Sequence, residues 1–170
     1  TQLGVEHYNK KKDGEAFSKK EFYKHPEKFE SDFMQYACAA DMYIACHYWD
    51  SKAPFIFNRI EPKSKAWKIK MVADISCDID CAVASTLRPS TIANPFYGYD
   101  PAGETEVDFY NEDAIGVMAV DNLPCELPKD ASVDFGEMFI QHVLEPLKGN
   151  DPEDIIWRAS ETKDGKLTPH

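Results

Sequence analysis

The stretches MVADISCDID at residues 71 to 80 and AIGVMAVDNLPCELP at residues 114 to 128 decide the predicted fold. Each is an apolar run that ends in a turn rich in Asp, Asn, Ser or Pro, which is typical of a buried strand and the loop at its carboxyl end. In open α/β sheets, ligands bind just outside the carboxyl ends of the strands. The sequence therefore predicts an α/β fold, with a candidate site at these two acidic turns.

Composition limits the classes of protein to which the chain can belong. The 170 residues are 43% hydrophobic and 12% aromatic, which predicts one compact domain, with two small lobes as the alternative. The 30 acidic residues outnumber the 19 basic ones and give a formal net charge of −11, so no nucleic-acid partner is expected. The run Lys10, Lys11 and Lys12 is interpreted as a solvated face rather than a phosphate site. No apolar run approaches the roughly 20 residues of a membrane helix, so we expect a soluble protein with no membrane partner.

The five cysteines are odd in number and form no C-x-x-C pair. This usage predicts a reduced chain in the cytoplasm, with cysteine serving as a small hydrophobic residue. Cys77 and Cys81 flank two aspartates, but the histidines are scattered along the chain, and we predict no metal site. The chain begins at Thr1 rather than Met, and we expect it to be part of a longer protein.

Local signals predict the remaining elements. Ser18 followed by Glu21 indicates a capped helix, and Pro26 is placed to begin a second short helix through Phe29 and Tyr36. Strands are expected at residues 42 to 48, 68 to 75 and 114 to 120, and a hairpin over residues 96 to 110 that turns at residues 100 to 103. A helix from residue 130 carries an apolar face that is expected to pack on the missing domain and to be exposed in this chain. His142 on that face is interpreted as a satisfied core histidine rather than a ligand, and the IIWRA run suggests a last helix.

Four motifs resemble a known family. These are YWD at residues 48 to 50 with Ala53 and Pro54, VADISCDID, TLRPSTI at residues 86 to 92 and VDNLPCELPKDAS at residues 120 to 132. In this order they resemble the carboxyl-terminal half of the alanine dehydrogenase and transhydrogenase superfamily, and most closely its saccharopine dehydrogenase and lysine 2-oxoglutarate reductase branch. The resemblance covers roughly residues 20 to 150.

The resemblance implies an oxidoreductase that uses NAD or NADP and acts on the C–N bond of an amino acid in lysine metabolism, with an amino-acid or keto-acid substrate. It implies a partial Rossmann-like parallel sheet with flanking helices and a β-hairpin. Residues 1 to 85 would be a remnant of the nucleotide-binding domain. Residues 86 to 170 would be a return segment that packs on, or completes, the catalytic domain.

The resemblance also assigns site residues. Asp78 matches the aspartate that alanine dehydrogenases place beside the reacting centre, and Asp121 matches the acidic residue of the saccharopine dehydrogenase loop. These two are the candidate catalytic residues. The residues expected to contact ribose and nicotinamide are Ile75, Ser76, Val120, Asn122 and Leu123. The alternative is that Asp74, Asp78 and Asp121 only cap helices or close turns, as Asp readily does.

Two departures from the family pattern favour a noncatalytic alternative. The glycine turn G-x-G-x-x-G is absent, and Asp80, Cys81 and Ala82 stand where relatives commonly have one or two glycines. The fragment alone is therefore expected to be inactive, and a truncated domain that binds a nucleotide or a partner is the second interpretation. An incomplete sheet also predicts a homo-oligomer, or association with the missing half.

Three further residues are weighed individually. Arg88 is expected to pair with a carboxylate of the protein rather than of a substrate. His47 is a lone candidate acid or base. Trp49, like its neighbour Tyr48, is interpreted as a core aromatic rather than a ligand-stacking one.

Overall fold

The computed structural model describes residues 1 to 169, which divide into two compact units, with the second beginning at Leu123. The predicted α/β class is confirmed. The domain boundary predicted between residues 85 and 86 lies inside the first unit, whose main sheet takes strands from both sides of it. The assignment of the two parts to a nucleotide-binding and a catalytic domain stays a prediction.

The elements of each unit follow the chain. In the first unit they are α1 (Val5–Tyr8), β1 (Asn9–Lys11), α2 (Lys19–Lys24), β2 (Phe29–Ser31), α3 (Met34–Ala37), β3 (Met42–Ala45), β4 (Met71–Asp74), β5 (Phe96–Asp100), β6 (Thr105–Val107) and β7 (Ile115–Met118). In the second they are α4 (Pro128–His142), α5 (Leu144–Leu147), α6 (Ile155–Arg158), β8 (Thr162–Lys163) and β9 (Lys166–Leu167). Short 3₁₀ turns span Pro26–Lys28, Glu61–Lys63 and Leu123–Glu126.

The main sheet of the first unit has five strands in the order β3, β4, β7, β5, β6. Strands β3, β4 and β7 run parallel, whereas β5 is antiparallel to both β7 and β6. The predicted hairpin is thus confirmed as β5 and β6, and it makes the sheet mixed around a parallel core. Val72 and Val117 face each other in the register of the central strands and are fully buried, as expected for strands covered on both faces.

The amino-terminal segment folds differently from the prediction in one respect. Ser18 caps α2 as expected, its Oγ accepting the Glu21 backbone N–H at 3.4 Å. Pro26 begins only a 3₁₀ turn, and Phe29 then enters β2, which pairs with β1. The predicted helix from Pro26 is wrong because the extended backbone buries the Phe29 ring against Phe22, with ring centroids 5.1 Å apart.

Helix α4 forms, and its apolar face is uncovered as expected: none of its residues is buried, and Phe135 is 72% exposed. The interpretation of His142 as a core histidine is wrong, because His142 is exposed. Apolar spacing predicts a helix face but not the surface that covers it. No helix among residues 1 to 169 combines the length and apolar character that crossing a membrane requires.

Two glycines in adjacent strands allow a stability test of the sheet. A Cβ on Gly98 would lie 2.5 Å from the backbone oxygen of Asp108, whereas one on Gly116 would meet the side chains of Phe109 and Met71 at 2.8 and 3.1 Å. Backbone cannot rotate away as a side chain can. We expect Gly98→Ala to lower the free energy of unfolding by about 2 kcal/mol or more, and Gly116→Ala to lower it by less. Urea denaturation of both variants checks the order, and the reverse order would contradict this packing.

Candidate functional site

The two acidic turns meet at one edge of the main sheet. Strands β4 and β7 are parallel neighbours, with Met71 opposite Gly116 and Ala73 opposite Met118, so their carboxyl ends point the same way. The structure therefore brings the turn at residues 75 to 78 next to the turn at residues 120 to 122, as the sequence predicted. Leu123 begins the second unit.

Asp74 closes the first turn. Its side chain is buried, and three neutral groups donate to it: the Ser76 hydroxyl at 2.7 Å, the Cys77 backbone N–H at 3.2 Å and the Thr86 hydroxyl at 2.6 Å. These bonds use both carboxylate oxygens. The turn-closing alternative therefore describes Asp74. The Ser76 hydroxyl donates its proton within the protein and can still accept a hydrogen bond from a ligand.

Cys77 joins the two turns directly. It has a φ of +53°, and its thiol donates to the Ala119 carbonyl oxygen at 3.0 Å. Burial raises the pKa of this thiol, and the carboxylates of Asp74, Asp121 and Asp78 raise it further. Asp78 and Asp121, the two candidate catalytic residues, thus both act on one thiol at the junction. Sequence reasoning missed this role of Cys77, since its partner lies 42 residues away.

Asp80, which stands where relatives commonly have glycine, forms an ion pair. Asp80 has a φ of +52°, a left-handed conformation that Asp tolerates better than most residues. Its carboxylate pairs with the Arg59 guanidinium at 2.5 Å, and the same guanidinium lies 3.5 Å from Glu104. The chain therefore keeps a glycine-like turn without glycine. Arg59 carried no sequence signal, because nothing local marks a pairing 21 residues along the chain.

The carboxylates at this edge therefore fall into two groups. Asp74 accepts hydrogen bonds from other groups of the protein, and Asp80 forms an ion pair with Arg59. Among the described contacts, the exposed Asp78 and Asp121 side chains have neither a hydrogen-bond nor an ion-pair partner. These two remain able to accept hydrogen bonds from a ligand.

Arg88 pairs with a protein carboxylate, as predicted. Its Nε and Nη2 each donate to Glu106 at 2.7 Å, and the guanidinium lies 4.7 Å from the centre of the Tyr97 ring. This bidentate bond lowers the pKa of Glu106. The neighbouring Ser90 is tied to the end of β7, with its N–H donating to the Ala119 oxygen at 2.8 Å. The connector between the first turn and β5 is thus held on the sheet and carries no free arginine.

The residues after β3 lie at the same edge, because Ala45 is opposite Asp74 in the register. His47 is half-buried, and its Nε2 is buried with no hydrogen-bond partner among residues 1 to 169. Burial lowers the pKa of this imidazole, and the Asp74 and Asp78 carboxylates oppose that effect. Trp49 is partly buried against the core, as expected, but the adjacent Tyr48 is 94% exposed and is not a core residue.

The assignment of Asp74 as a structural residue can be tested by substitution. Asp74→Ala removes the acceptor for three donors and is expected to lower the free energy of unfolding by about 3 kcal/mol. Asp74→Asn keeps one acceptor oxygen and should lower it by about 1 kcal/mol. Asp78→Ala, which removes an exposed carboxylate from the same turn, is the matched control and should stay within about 0.5 kcal/mol of wild type. Equal losses for all three variants in chemical denaturation would refute the assignment.

Comparison with known proteins shows what the whole chain is similar to. No protein-family model matches it. It is 28% identical over 171 residues to alpha-aminoadipic semialdehyde synthase of Arabidopsis thaliana, covering 96% of this chain and 16% of that relative. The mitochondrial alpha-aminoadipic semialdehyde synthases of Mus musculus and Rattus norvegicus are 25% and 26% identical to it, each across 99% of this chain and 21% of the relative.

The similarity reaches further than the four motifs suggested, since it covers nearly all of the chain rather than residues 20 to 150. The chain spans about a fifth or less of the length of these relatives. The predicted resemblance is confirmed: along nearly its whole length, the chain is homologous to a segment of the alpha-aminoadipic semialdehyde synthases, which is consistent with a saccharopine dehydrogenase-like fragment.

Proposed function

We propose that the chain is part of an NAD(P)-dependent oxidoreductase that acts on the C–N bond of an amino acid in lysine metabolism. The observation that carries the proposal is the pair of acidic turns at the carboxyl edge of two adjacent parallel strands. Each turn has one aspartate without a partner in the described part of the chain. That is where open α/β sheets bind ligands. The similarity to alpha-aminoadipic semialdehyde synthases supplies the class of reaction.

The edge fits the nicotinamide riboside half of the cofactor. Ribose hydroxyls need acceptors, and Asp78 and Asp121 have exposed carboxylates that the protein leaves unpartnered. Ile75 is 39% exposed and offers an apolar surface to a ring. Val120 and Asn122 complete the second turn, and Leu123 follows them. When bound, NAD or NADP supplies hydride transfer to or from the substrate carbon.

The edge does not fit the pyrophosphate half. A dinucleotide pyrophosphate usually rests on a glycine turn and the amino terminus of a helix. Here β4 continues into a turn bent at Cys77 and Asp80, and β7 leads towards a 3₁₀ turn. The carboxylates at this edge would also repel phosphate. The pyrophosphate cradle would therefore come from another part of a longer protein, which supports the expectation that this fragment alone is inactive.

Asp78 and Asp121 have a chemical role in this proposal. A reaction at a C–N bond passes through a cationic iminium, and a carboxylate at that edge stabilises the positive charge and accepts an N–H hydrogen bond. Burial excludes water from Asp74 but leaves these two in contact with it. One of the two can therefore meet a substrate amine while the other accepts a ribose hydroxyl, without a prior rearrangement of the sheet.

The second interpretation is a noncatalytic module that binds a nucleotide or partner. The absent glycine turn and the substitution of Asp80 for glycine favour it. The cytoplasmic location also stays a proposal, because two of the relatives are named as mitochondrial proteins. The unpaired cysteines Cys38, Cys46, Cys77, Cys81 and Cys125 suit a reduced compartment of either kind.

Nucleotide binding tests the proposed site. We expect nicotinamide mononucleotide and NAD to bind the chain equally weakly, with Kd of about 1 mM or above, because only the nicotinamide half finds partners. Asp78→Ala and Asp121→Ala should each weaken binding of the mononucleotide about fivefold. Asp113→Ala, an exposed aspartate just before β7, should not. Saturation-transfer NMR measures binding to the wild-type chain and to the three variants. A separate assay of the wild-type chain with saccharopine and NAD should show no turnover.

Three results would decide otherwise. Mononucleotide binding that is equal in wild type and in both edge variants would remove the site. Micromolar NAD binding would contradict the absence of a pyrophosphate cradle. Such binding without turnover would favour the noncatalytic module.

Association is the remaining proposal about partners. Strand β3 lies at one edge of the main sheet, and Met42 and Ile44 on it are each 55% exposed. A parallel edge strand with exposed apolar side chains readily pairs with another strand, either from a second copy or from the rest of a longer protein. The exposed face of α4, with the partly exposed Phe139, is a second candidate contact.

Sedimentation velocity over a concentration series tests self-association of the chain. We expect a dimer or higher oligomer whose formation Ile44→Lys reduces at least about tenfold, since burying an unpaired ammonium is costly. Ile60→Lys is the matched control, because Ile60 is 74% exposed but lies outside the strands. A monomer at every concentration, or equal effects of the two lysines, would contradict an interface at β3.

A further inference from the structure

One side-chain hydrogen bond runs from the first acidic turn to the start of the second. The Cys77 thiol donates to the carbonyl oxygen of Ala119 at 3.0 Å, and Ala119 lies just before the second turn. Burial and three nearby carboxylates raise the pKa of this thiol, so it stays protonated and able to donate at pH 7. The position of the second turn therefore depends in part on a side chain of the first.

The Ala119 peptide is the point at which this bond acts. Its carbonyl oxygen accepts from the Ser90 N–H at 2.8 Å as well as from the thiol, so both lone pairs are used. The Ala119 N–H donates to the Ser90 hydroxyl at 3.0 Å. Of these three bonds, the one from Cys77 comes from the first turn. It links the orientation of this peptide, and hence the path of the chain into Val120 and Asp121, to that turn.

Cys77 has an unfavourable backbone conformation. Its φ is +53°, and cysteine is not among the residues that tolerate the left-handed region well. The other non-glycine residues with a positive φ within residues 1 to 169 are all acidic, and they are Asp80, Glu104, Asp154 and Asp164. Strain of this kind persists where the surroundings hold it, and it clusters at functional sites. Here Asp74 accepts the Cys77 N–H at 3.2 Å, and Ala119 accepts the thiol.

Electrostatic repulsion acts against the contact between the turns. Asp78 and Asp121 are exposed, and neither has an ion-pair partner in the described part of the chain. Both lie close enough to the Cys77 thiol to raise its pKa. Two carboxylates around one point repel each other, so the second turn needs a bond that holds it beside the first.

We propose that Cys77 is a positioning residue, whose thiol fixes the place of Asp121 relative to Asp78. This role rests on the proposed function, in which the two carboxylates contact ligands that lie side by side. Reacting molecules must be held at a fixed spacing, and a small displacement of one contact lowers the efficiency of the whole site.

Three substitutions separate positioning from stability. Cys77→Ser keeps a hydrogen-bond donor, whereas Cys77→Ala and Cys77→Gly both remove it. Glycine usually makes a protein less stable than alanine does, but at a φ of +53° it relieves the strain. Cys77→Gly should therefore have a higher midpoint of urea denaturation than Cys77→Ala. Positioning should follow the donor instead, so that the two variants are equally impaired.

Hydrogen exchange measures the positioning without a ligand. Relative to the N–H of Val117 within β7, the N–H groups of the buried residues Ala119 and Val120 should exchange about threefold faster in Cys77→Gly and Cys77→Ala. The loss of one weak hydrogen bond accounts for an effect of this size. Cys77→Ser should stay near the wild-type rates, because a hydroxyl is a stronger donor than a thiol and this offsets its shorter reach.

Nicotinamide mononucleotide measures the consequence for binding. Its affinity should fall about threefold in both Cys77→Gly and Cys77→Ala and stay near the wild-type value in Cys77→Ser. Cys81→Ala is the matched control, because Cys81 lies four residues further on and its thiol has no hydrogen bond among the described contacts. This variant should change neither the exchange rates nor the affinity.

A loss of affinity that follows the urea midpoints, larger in Cys77→Ala than in Cys77→Gly, would show a purely structural role and overturn the proposal. Wild-type exchange rates in Cys77→Gly, or equal behaviour of Cys77→Ser and Cys77→Gly, would overturn it as well. If the exchange rates change as expected but the wild-type chain binds no mononucleotide, the proposed function fails and the role of Cys77 in holding the turns together stands. Should Cys77→Ala fail to fold, the glycine and serine variants decide the same points.

Discussion

The buried carboxylate of Asp74 is the constraint on which the candidate site depends. A charged group inside the protein must have its hydrogen bonds met, and Ser76, Cys77 and Thr86 meet them from the turn and from the connector. This ties together the end of the central strand β4, the turn that follows it and the chain twelve residues further on. The turn therefore has one conformation, set by the acceptor geometry of a single side chain.

The connector between the first acidic turn and β5 is also hydrogen-bonded to β5 and to the end of β7. From Thr86 the chain reaches Leu87, whose N–H donates to the Tyr97 hydroxyl of β5 at 2.9 Å. Ser90 then exchanges hydrogen bonds with Ala119, just beyond β7, at 2.8 and 3.0 Å. The second acidic turn thus begins from a backbone that is fixed to the same connector as the first. The backbone at the exposed aspartates of both turns is thus fixed by hydrogen bonds of the buried residues beside them, and not by contacts of the aspartate side chains.

Much of this arrangement could be predicted from the sequence, because its signals are local. Strands β4 and β7, the hairpin and the Ser18 cap each follow from the apolar spacing or turn residues within a few positions. Both strands end in an acidic turn, and in an open α/β sheet such turns lie at the carboxyl ends of parallel strands. The sequence could therefore also predict that the two strands are parallel. The strands themselves are shorter than predicted: they span Met42–Ala45, Met71–Asp74 and Ile115–Met118.

The remaining features depend on contacts between distant residues. The helix predicted from Pro26 gives way to a strand because an aromatic cluster forms around Phe29, which no local pattern indicates. Arg59 meets Asp80, and Cys77 meets Ala119, only after the sheet has formed. Such pairs have no signature in a single sequence.

The thiol of Cys77 also gives the site edge a resistance to oxidation. Thiolate is the form of cysteine that oxidants and alkylating reagents attack, and the raised pKa of Cys77 keeps it protonated at neutral pH. Cys46 and Cys125 are exposed to solvent, whereas Cys77 is partly buried. Under oxidative stress, damage would therefore fall first on these outer thiols, while the hydrogen bond that joins the two turns persists.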